Sequence, residues 1–216
     1  MNEQFVVPSL GNCRIQSPLP LSTSSQEDNF RFVEDSQRIL YQATFNDLNQ
    51  HELFGGDSPI SFEAAGPRAM TFFDPSKVRA GIVTCGGLCP GINNVIRALV
   101  MQMYHNYGVR RIYGFRYGFQ GFIPKYRHDI MELTPDSVVN IHHQGGSILS
   151  SSRGPQDIGE IVDCLDRHTI KILFCIGGDG TLRGAHAIAQ EVKARDLKIA
   201  VIGVPKTIDN IFWLKV

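Results

Sequence analysis

The sequence predicts an α/β protein in which a parallel sheet is covered by helices on both faces. From residue 77 onward, short apolar runs typical of buried strands alternate with longer stretches whose apolar residues recur at helical spacing. Glycine-rich segments directly follow the predicted strands. Because strands and helices that alternate in this way form parallel, Rossmann-like sheets, we expect ligands to bind beyond the carboxyl ends of the strands.

The predicted elements fill residues 77–210, which we expect to form one α/β domain. Strands are predicted at residues 78–85, 111–115, 172–176 and 199–204. Helices are predicted at residues 92–107, near 135–143 and 157–168, and after Thr181. Residues 1–76 are rich in Ser, Gln, Asn and Pro, and we predict a partly flexible N-terminal extension with one short helix near residues 33–46.

The composition argues against several classes of protein. Twenty-one basic and 21 acidic residues give a formal net charge of zero, so nothing indicates a nucleic-acid partner or an anionic membrane. Five cysteines, an odd number, disfavour a disulfide framework. Metal binding by Cys85 and Cys89 is disfavoured because no second Cys/His pair has suitable spacing. Without a leader-like N-terminus or an apolar run of membrane-spanning length, we predict a soluble, cytoplasmic protein.

Residues 172–183, with the sequence ILFCIGGDGTLR, carry the strongest local signal for a ligand site. A strand, a glycine turn and a helix follow one another, so the free N–H groups and positive dipole end of the helix face the turn, which suits phosphate. Asp179 in this turn predicts a nucleotide with Mg²⁺, because a carboxylate beside phosphates needs a divalent cation between them. The alternative is that Asp179 only caps the helix.

Four other segments carry residues suited to chemistry. The glycine turn after the first strand offers backbone groups to phosphate. In residues 114–122 the aromatic rings either pack on an adenine ring or belong to the core. Arg153 offers a guanidinium to a phosphoryl group, unless it is a solvated loop residue. After the last strand, Lys206, Thr207 and Asp209 provide a cation, a hydroxyl and a carboxylate.

Five motifs occur in one order along the predicted domain: GGLCPGIN (86–93), GFRYGFQGF (114–122), GGSILSSSRG (145–154), IGGDGT (176–181) and GVPKTIDN (203–210). Together they resemble the 6-phosphofructokinase family, and the set is far more specific than any one motif. The GGDGT element alone also resembles NAD kinases and diacylglycerol kinases, but the GGxxPGxN and PKTIDN patterns are not theirs. The resemblance implies the N-terminal, nucleotide-binding part of the phosphofructokinase fold.

The resemblance also implies a role for each matching position, with ATP as co-substrate and Mg²⁺ as cofactor. The residues expected to hold the nucleotide phosphates are Gly86, Arg153, Gly154, Gly178, Asp179, Gly180 and Thr181, with Mg²⁺ at Asp179. Thr207 would contact fructose 6-phosphate, beside Lys206. Asp209 would accept the proton of the sugar 1-hydroxyl as that hydroxyl attacks the γ-phosphate. In-line phosphoryl transfer needs such a metal, positive charge and a carboxylate within reach of the hydroxyl.

Two positions bear on the phosphoryl donor. In this family a glycine at the position of Gly180 resembles the ATP-using form, because an aspartate there would crowd the α-phosphate, as in the pyrophosphate users. Lys206 resembles both the pyrophosphate enzymes and the longer, plant-like ATP enzymes. The combination favours a plant-like ATP-dependent 6-phosphofructokinase. The alternatives are a pyrophosphate-dependent phosphofructokinase and a nucleotide-binding protein of the NAD-kinase or lipid-kinase type.

The resemblance stops after Asn210. The family pattern continues with a second aspartate and then a second α/β domain with most of the sugar-phosphate contacts, whereas residues 211–216 read IFWLKV. We therefore predict that residues 211–216 are an aberrant tail, that the fold is truncated and that this chain is inactive alone. The family also implies a homo-oligomer.

Overall fold

The structure is a computed structural model that describes residues 7–22, 31–40 and 61–206. The chain forms two compact units that divide between Phe72 and Phe73. Each unit contains its own sheets, and the second unit holds every candidate site residue that the structure describes.

The described part of the first unit contains two antiparallel pairs of short strands. In chain order they are β1 (Ile15–Gln16), β2 (Arg38–Leu40), β3 (Ser61–Glu63) and β4 (Met70–Thr71). β1 pairs with β4, and β2 pairs with β3. The prediction of a helix near residues 33–46 is wrong for residues 33–40. Residues 38–40 instead form a strand, because pairing with a segment 23 residues away overrides the local periodicity. Residues 41–46 lie outside the described residues.

The described part of the second unit contains a five-stranded sheet. Its strands are β5 (Arg79–Thr84), β6 (Arg111–Phe115), β7 (Ile130–Glu132), β8 (Ile172–Gly177) and β9 (Ala200–Pro205). They lie in the order β7-β6-β5-β8-β9, and all pair in parallel except β7, which is antiparallel to β6. The four predicted parallel strands are confirmed. The sequence does not predict β7, because three residues are too few to show a period.

Four α-helices accompany the sheet in the described part of this unit. They are α1 (Ile92–Met101), α2 (Pro135–Val138), α3 (Ile158–Arg167) and α4 (Asp179–Ala194). The helix predicted to end at residue 107 changes after Met101 into a π-helix, Gln102–Asn106. The helix predicted near 135–143 is one α-helical turn followed by a 3-10 turn, Ile141–His143. None of the described helices combines the length and apolar character needed to cross a membrane.

Apolar side chains of the helices cover both faces of the sheet. One buried cluster draws on α1, β5 and β6 and contains Ile92, Ile96, Val100, Ile82 and Ile112. A second buried cluster draws on α3, α4, β5 and β8 and contains Ile161, Leu165, Ile188, Val83 and Leu173. The predicted α/β sheet with helices on both faces is therefore confirmed. Burial on both faces also explains why the strands are continuous apolar runs in the sequence.

The order of the strands creates a crevice between β5 and β8. The chain passes from β5 to β6 on one side, and it later returns to β8 on the other side of β5. The connections that leave the carboxyl ends of β5 and β8 therefore diverge, and open α/β sheets bind their ligands in the crevice that results. The turns that follow these two strands are the first place to look for a site.

Candidate functional site

A cleft of about 790 Å³ opens at the carboxyl ends of β5 and β8. Its walls come from the turn after β5, the loop at residues 152–156, the first turns of α4 and Lys206 after β9. Ile158 and Ile161 of α3 form an apolar part of the wall. The volume lies within the range of about 300–1,000 Å³ that is usual for pockets binding small molecules and cofactors.

The turn after β8 depends on the absence of a side chain at Gly177. A Cβ on Gly177 would lie 2.2 Å from Thr181 Oγ1 and 2.7 Å from the Cys85 carbonyl oxygen, so any other residue would collide with its neighbours. Gly178 is the N-cap of α4 and has extended backbone, and no side chain caps the helix there. The positive end of the α4 dipole therefore lies at the cleft without a capping side chain.

Asp179 is the first residue of α4 and not its N-cap. Asp179 therefore does not cap the helix, and its role as a ligand of Mg²⁺ stays a prediction. Its carboxylate instead forms an ion pair with Arg183 one turn later, with 2.7 Å between Oδ2 and Nη2. The Asp179 side chain is 67% exposed and lines the cleft, so a ligand can reach it.

The described lining of the cleft offers a metal ion a single carboxylate, which is compatible with Mg²⁺. Within residues 7–22, 31–40 and 61–206, no three His, Cys, Asp or Glu side chains come together to cage a metal. Asp179 is the only carboxylate among the described residues that line the cleft. Mg²⁺ is commonly held by one or two carboxylates with phosphate oxygens and water, whereas structural Zn²⁺ and Ca²⁺ need more protein ligands.

Hydrogen bonds join the turn after β5 to the loop that carries Arg153. Gly86 has a φ of +80°, a conformation that glycine adopts without strain. Gly86 N donates to the Ser152 carbonyl at 3.0 Å, and Ser151 Oγ donates to the Gly86 carbonyl at 2.6 Å. These bonds hold Arg153 beside the turn, where its Nη2 lies 3.4 Å from the position that a Cβ of Gly87 would take.

Buried polar side chains fix the earlier part of the same loop. Asn93 of α1 is 2% exposed, and its Nδ2 donates to the Gln144 carbonyl at 3.0 Å. Its Oδ1 accepts a bond of 2.9 Å from Ile148 N. Thr84 Oγ1 donates to the Ser150 carbonyl at 2.6 Å. The asparagine of the GGLCPGIN motif therefore has a structural role, which is to hold the loop that leads to the cleft.

Lys206 connects the end of β9 to both turns. Its backbone N donates to the Gly177 carbonyl at 2.9 Å, and its Nζ donates to the Gly87 carbonyl. A cation is thereby held in the cleft wall where the three strands β5, β8 and β9 end. Thr207 and Asp209 follow Lys206 in the sequence and lie outside the described residues.

The aromatic segment after β6 divides between the core and the cleft. Phe115 and Phe122 are buried and stack with their ring centroids 4.0 Å apart, so the core interpretation is correct for them. Tyr117 is exposed and does not line the cleft. Phe119 lines the cleft beside Gly184 of α4, where a Cβ would lie 2.6 Å from the ring. Packing on an adenine ring stays a prediction for Phe119.

Burial sets the chemistry of the two thiols nearest the cleft. Cys85, which lines the cleft after β5, is 6% exposed, and burial raises its pKa to about 12. Burial, with a smaller contribution from Cys85, also raises the pKa of Cys175 in β8. Both thiols are therefore protonated at neutral pH and behave as small apolar side chains.

Eight of the predicted site residues line this one cleft: Gly86, Arg153, Gly154, Gly178, Asp179, Gly180, Thr181 and Lys206. The sequence did not single out Gln156 of the loop or the residues that line the helical walls: Ile158, Ile161, Arg183 and Ala187. A signal existed for Arg183, because it lies four positions after Asp179 and so on the same face of the helix. Ile158 and Ile161 of α3 gave no such signal, because the helical spacing of apolar residues indicates only that this face of α3 is buried.

A second cavity, of about 670 Å³, adjoins the cleft. It is lined by the turn after β5 and by glycine and serine residues of the 145–153 loop. The two cavities share Gly86, Gly87, Ser152 and Arg153. Arg153 therefore lies at the boundary between them.

An open α/β sheet with a glycine-lined cleft at its switch point is typical of domains that bind a phosphorylated ligand at the strand ends. The chain belongs to the phosphofructokinase family. The family's sequence pattern, described as Phosphofructokinase, matches residues 79–214. This membership excludes the alternative of an NAD kinase or a lipid kinase.

Curated relatives match most of the chain. The ATP-dependent 6-phosphofructokinase of Amycolatopsis methanolica is 50% identical over 201 residues, which are 93% of this chain and 43% of the relative. That of Borreliella burgdorferi is 44% identical over 213 residues, 98% of this chain and 46% of the relative. ATP-dependent 6-phosphofructokinase 7 of Arabidopsis thaliana is 46% identical over 155 residues, 72% and 31% of the two chains. The chain thus spans less than half the length of these relatives.

Solved structures share the fold. A pyrophosphate-dependent phosphofructokinase from Marinobacter aquaeolei matches with a TM-score of 0.55 at 22% identity, over 62% of this chain and 34% of its own. The phosphofructokinase of Pichia pastoris in the T-state matches with a TM-score of 0.54 at 24% identity, over 70% of this chain and 18% of its own. At such low identity these matches support the common fold and nothing finer.

Replacing Asn93 by alanine should destabilise the second unit. The change leaves the Gln144 carbonyl and the Ile148 N–H without their buried partner, which we expect to lower the free energy of unfolding by about 2 kcal/mol. Chemical denaturation followed by circular dichroism measures this. The matched control is the exposed neighbour Asn94→Ala, which should change stability by less than about 0.5 kcal/mol. Equal effects of the two changes would contradict the role given to Asn93.

The thiols at the cleft should resist alkylation. Because burial raises the pKa of Cys85 to about 12, almost no thiolate is present at pH 7.5, and iodoacetamide should leave Cys85 and Cys175 unmodified in the folded chain. Exposed Cys13 should react under the same conditions. Peptide mass spectrometry of folded and denatured samples measures both. Rapid labelling of Cys85 in the folded sample would show that the thiol is accessible and ionised.

Proposed function

We propose that the cleft binds ATP with Mg²⁺ and that the chain supplies the nucleotide site of an ATP-dependent 6-phosphofructokinase. In this reaction the γ-phosphate of ATP passes to the 1-hydroxyl of fructose 6-phosphate, which gives fructose 1,6-bisphosphate in glycolysis. The observation that carries the proposal is the grouping of eight motif residues in one cleft at the switch point of the sheet. The names of the relatives support ATP as the phosphoryl donor.

The phosphate chain of the nucleotide would lie along the two glycine turns. The start of α4 at 178–180 offers backbone N–H groups and the positive end of the helix dipole. Gly86 has no side chain that would keep the phosphates away from the turn after β5. Arg153 and the neighbouring Gly154 would close the other side of the phosphate site, because a guanidinium matches the geometry of phosphate oxygens. Phe119 and the apolar residues of α3 offer packing for the base.

Mg²⁺ would be held by Asp179 together with phosphate oxygens and water. When bound there, the ion neutralises phosphate charge and polarises the group that is transferred. The exposed position of the Asp179 carboxylate in the cleft wall supports this assignment. The protein's own contribution is to hold one carboxylate at the fixed start of α4.

Proton removal from the sugar would be the task of Asp209. A carboxylate within hydrogen-bond reach of the 1-hydroxyl accepts its proton as the oxygen attacks phosphorus. Thr207 would contact fructose 6-phosphate, and Lys206 would add positive charge to the transferred group. The support for this placement is that Lys206, which directly precedes Thr207, is hydrogen-bonded to both glycine turns.

Gly180 is the position that favours ATP over pyrophosphate. It lines the cleft. Apart from its chain neighbours and the backbone of its own helix, no described residue has an atom within 4 Å of the position that its Cβ would take. A side chain at this position would therefore extend into the space of the cleft itself. An aspartate there would bring negative charge close to the α-phosphate of ATP. A pyrophosphate donor has no such third phosphate.

Gly180→Asp should fold normally and bind ATP poorly. An aspartate is favourable in the first turn of a helix, and the open space around Gly180 accommodates it. Repulsion of the α-phosphate should weaken Mg·ATP binding by about tenfold or more, as measured by isothermal titration calorimetry. Gly180→Ala is the matched control, because it adds a Cβ without charge and should weaken binding far less. If the two variants bind ATP equally well, charge at this position does not select the donor.

Turnover by the 216-residue chain tests the remainder of the proposal. The resemblance assigns most sugar-phosphate contacts to a second domain, so we expect the purified chain to bind Mg·ATP and to phosphorylate little or no fructose 6-phosphate. Any sugar-dependent turnover should fall at least about a hundredfold in Asp209→Ala, because the general base is lost. An assay coupled to formation of ADP measures this, and sedimentation tests the implied homo-oligomer.

The outcomes separate the parts of the proposal. Failure of the folded chain to bind Mg·ATP would overturn the nucleotide site. Turnover that persists in Asp209→Ala would overturn the assignment of the base. Full turnover by the unmodified chain would show that residues 1–216 suffice for the reaction.

A further inference from the structure

Arg183 lines the cleft and has no role in the function proposed so far. It lies one helical turn after Asp179 on α4, and its Nη2 is 2.7 Å from Asp179 Oδ2. The two side chains are 75% and 67% exposed, so both are open to a ligand. The guanidinium therefore already reaches the position at which a cation bound to Asp179 would lie.

The charges in the cleft show why this ion pair matters. Of the described residues that line the cleft, Arg153, Arg183 and Lys206 are basic and Asp179 is acidic. Lys206 Nζ is held by the Gly87 carbonyl, whereas Arg183 is held by the carboxylate proposed to bind Mg²⁺. A divalent ion that binds Asp179 competes with the guanidinium for this carboxylate, because two cations close to one carboxylate repel each other.

We propose that Arg183 binds the phosphate chain of the nucleotide, and that its ion pair with Asp179 holds it only until a divalent cation binds that carboxylate. The proposal rests on the function proposed above, in that the cleft binds a nucleotide with Mg²⁺. Once displaced, the guanidinium stays attached to α4 within a side chain's length of the ion. The nearest unpaired anions are then the phosphate oxygens that carry the ion, and a guanidinium bonds strongly to such oxygens.

The helix itself does not need this ion pair. Exposed pairs one turn apart contribute little to stability. α4 is instead held to the sheet by buried Ala185, Ile188 and Val192. Removing the charge of Arg183 should therefore leave the fold intact and alter only what happens in the cleft.

The pair also makes nucleotide binding depend on the metal. Without a divalent ion, Arg183 stays with Asp179 and contributes little to binding of the nucleotide. With the ion, Arg183 is free and contributes fully. Loss of Arg183 should for this reason weaken the metal complex of ATP more than metal-free ATP, which is a coupling that a merely structural residue does not produce.

Calorimetric titration of the 216-residue chain with ATP, in Mg²⁺ and in EDTA, tests the proposal. Arg183→Met should lower the affinity for Mg·ATP about tenfold or more and that for metal-free ATP by less than about threefold. Arg183→Lys should restore part of the loss, since a lysine keeps the charge but lacks the planar guanidinium. Lys193→Met, which removes an exposed cation from the last turn of the same helix, is the matched control and should change neither affinity. Thermal melts should coincide for all four proteins.

The same substitution in a variant that lacks the Asp179 carboxylate provides a second test. In Asp179→Asn the ion pair and the metal ligand are both lost, so Arg183 is free at all times. Adding Arg183→Met to this variant should weaken ATP binding by the same factor with and without Mg²⁺. Equal affinity of the unmodified chain and Arg183→Met for Mg·ATP would overturn the inference and leave the proposed function standing. An equal loss with and without metal in the single variant would also overturn it. If the unmodified chain binds no nucleotide, the proposed function fails and this inference fails with it.

Discussion

The site depends on a close approach of backbone segments at Gly177. The end of β8, the turn after β5 and the first turn of α4 meet there at distances that leave no room for a Cβ. The Gly177 carbonyl also accepts the bond from Lys206 N that brings in the end of β9. One missing side chain thereby allows three strand ends and one helix start to share a single cleft.

Charged side chains that line the cleft, and not the net charge of the chain, dominate the electrostatics near the site. The whole chain has a formal net charge of zero, yet three basic side chains and one acidic side chain line the described part of the cleft. The resulting field is short in range, because opposite charges elsewhere and salt screen it beyond about 10 Å. Selection of the proposed phosphate ligand would therefore take place by contact within the cleft, through guanidinium geometry and backbone N–H groups, and not by attraction from a distance.

Much of the site could be predicted from the sequence because parallel strands end at one edge of a sheet. Once β5, β8 and β9 were recognised, the residues after them, such as Gly86, Asp179 and Lys206, had to lie near one another. What the sequence could not show depends on contacts between distant segments. β2 replaces a predicted helix through pairing with β3, the three residues of β7 have no period, and Ile161 of α3 faces the cleft only because of how α3 packs.

The amides of β5, in the middle of the sheet, should exchange with solvent more slowly than those of β9. β5 has a paired strand on each side and buried clusters on both faces, so its amide protons exchange with solvent only when much of the unit opens. β9 has a paired strand on one side in the described residues, and its amides are released by a smaller opening. Gly86 lies in the turn that follows β5, and Lys206 directly follows β9. The cleft therefore lies between a strand whose amides exchange slowly and a strand whose amides exchange faster. The proposed ligand, bound between them, would slow exchange more at β9 than at β5.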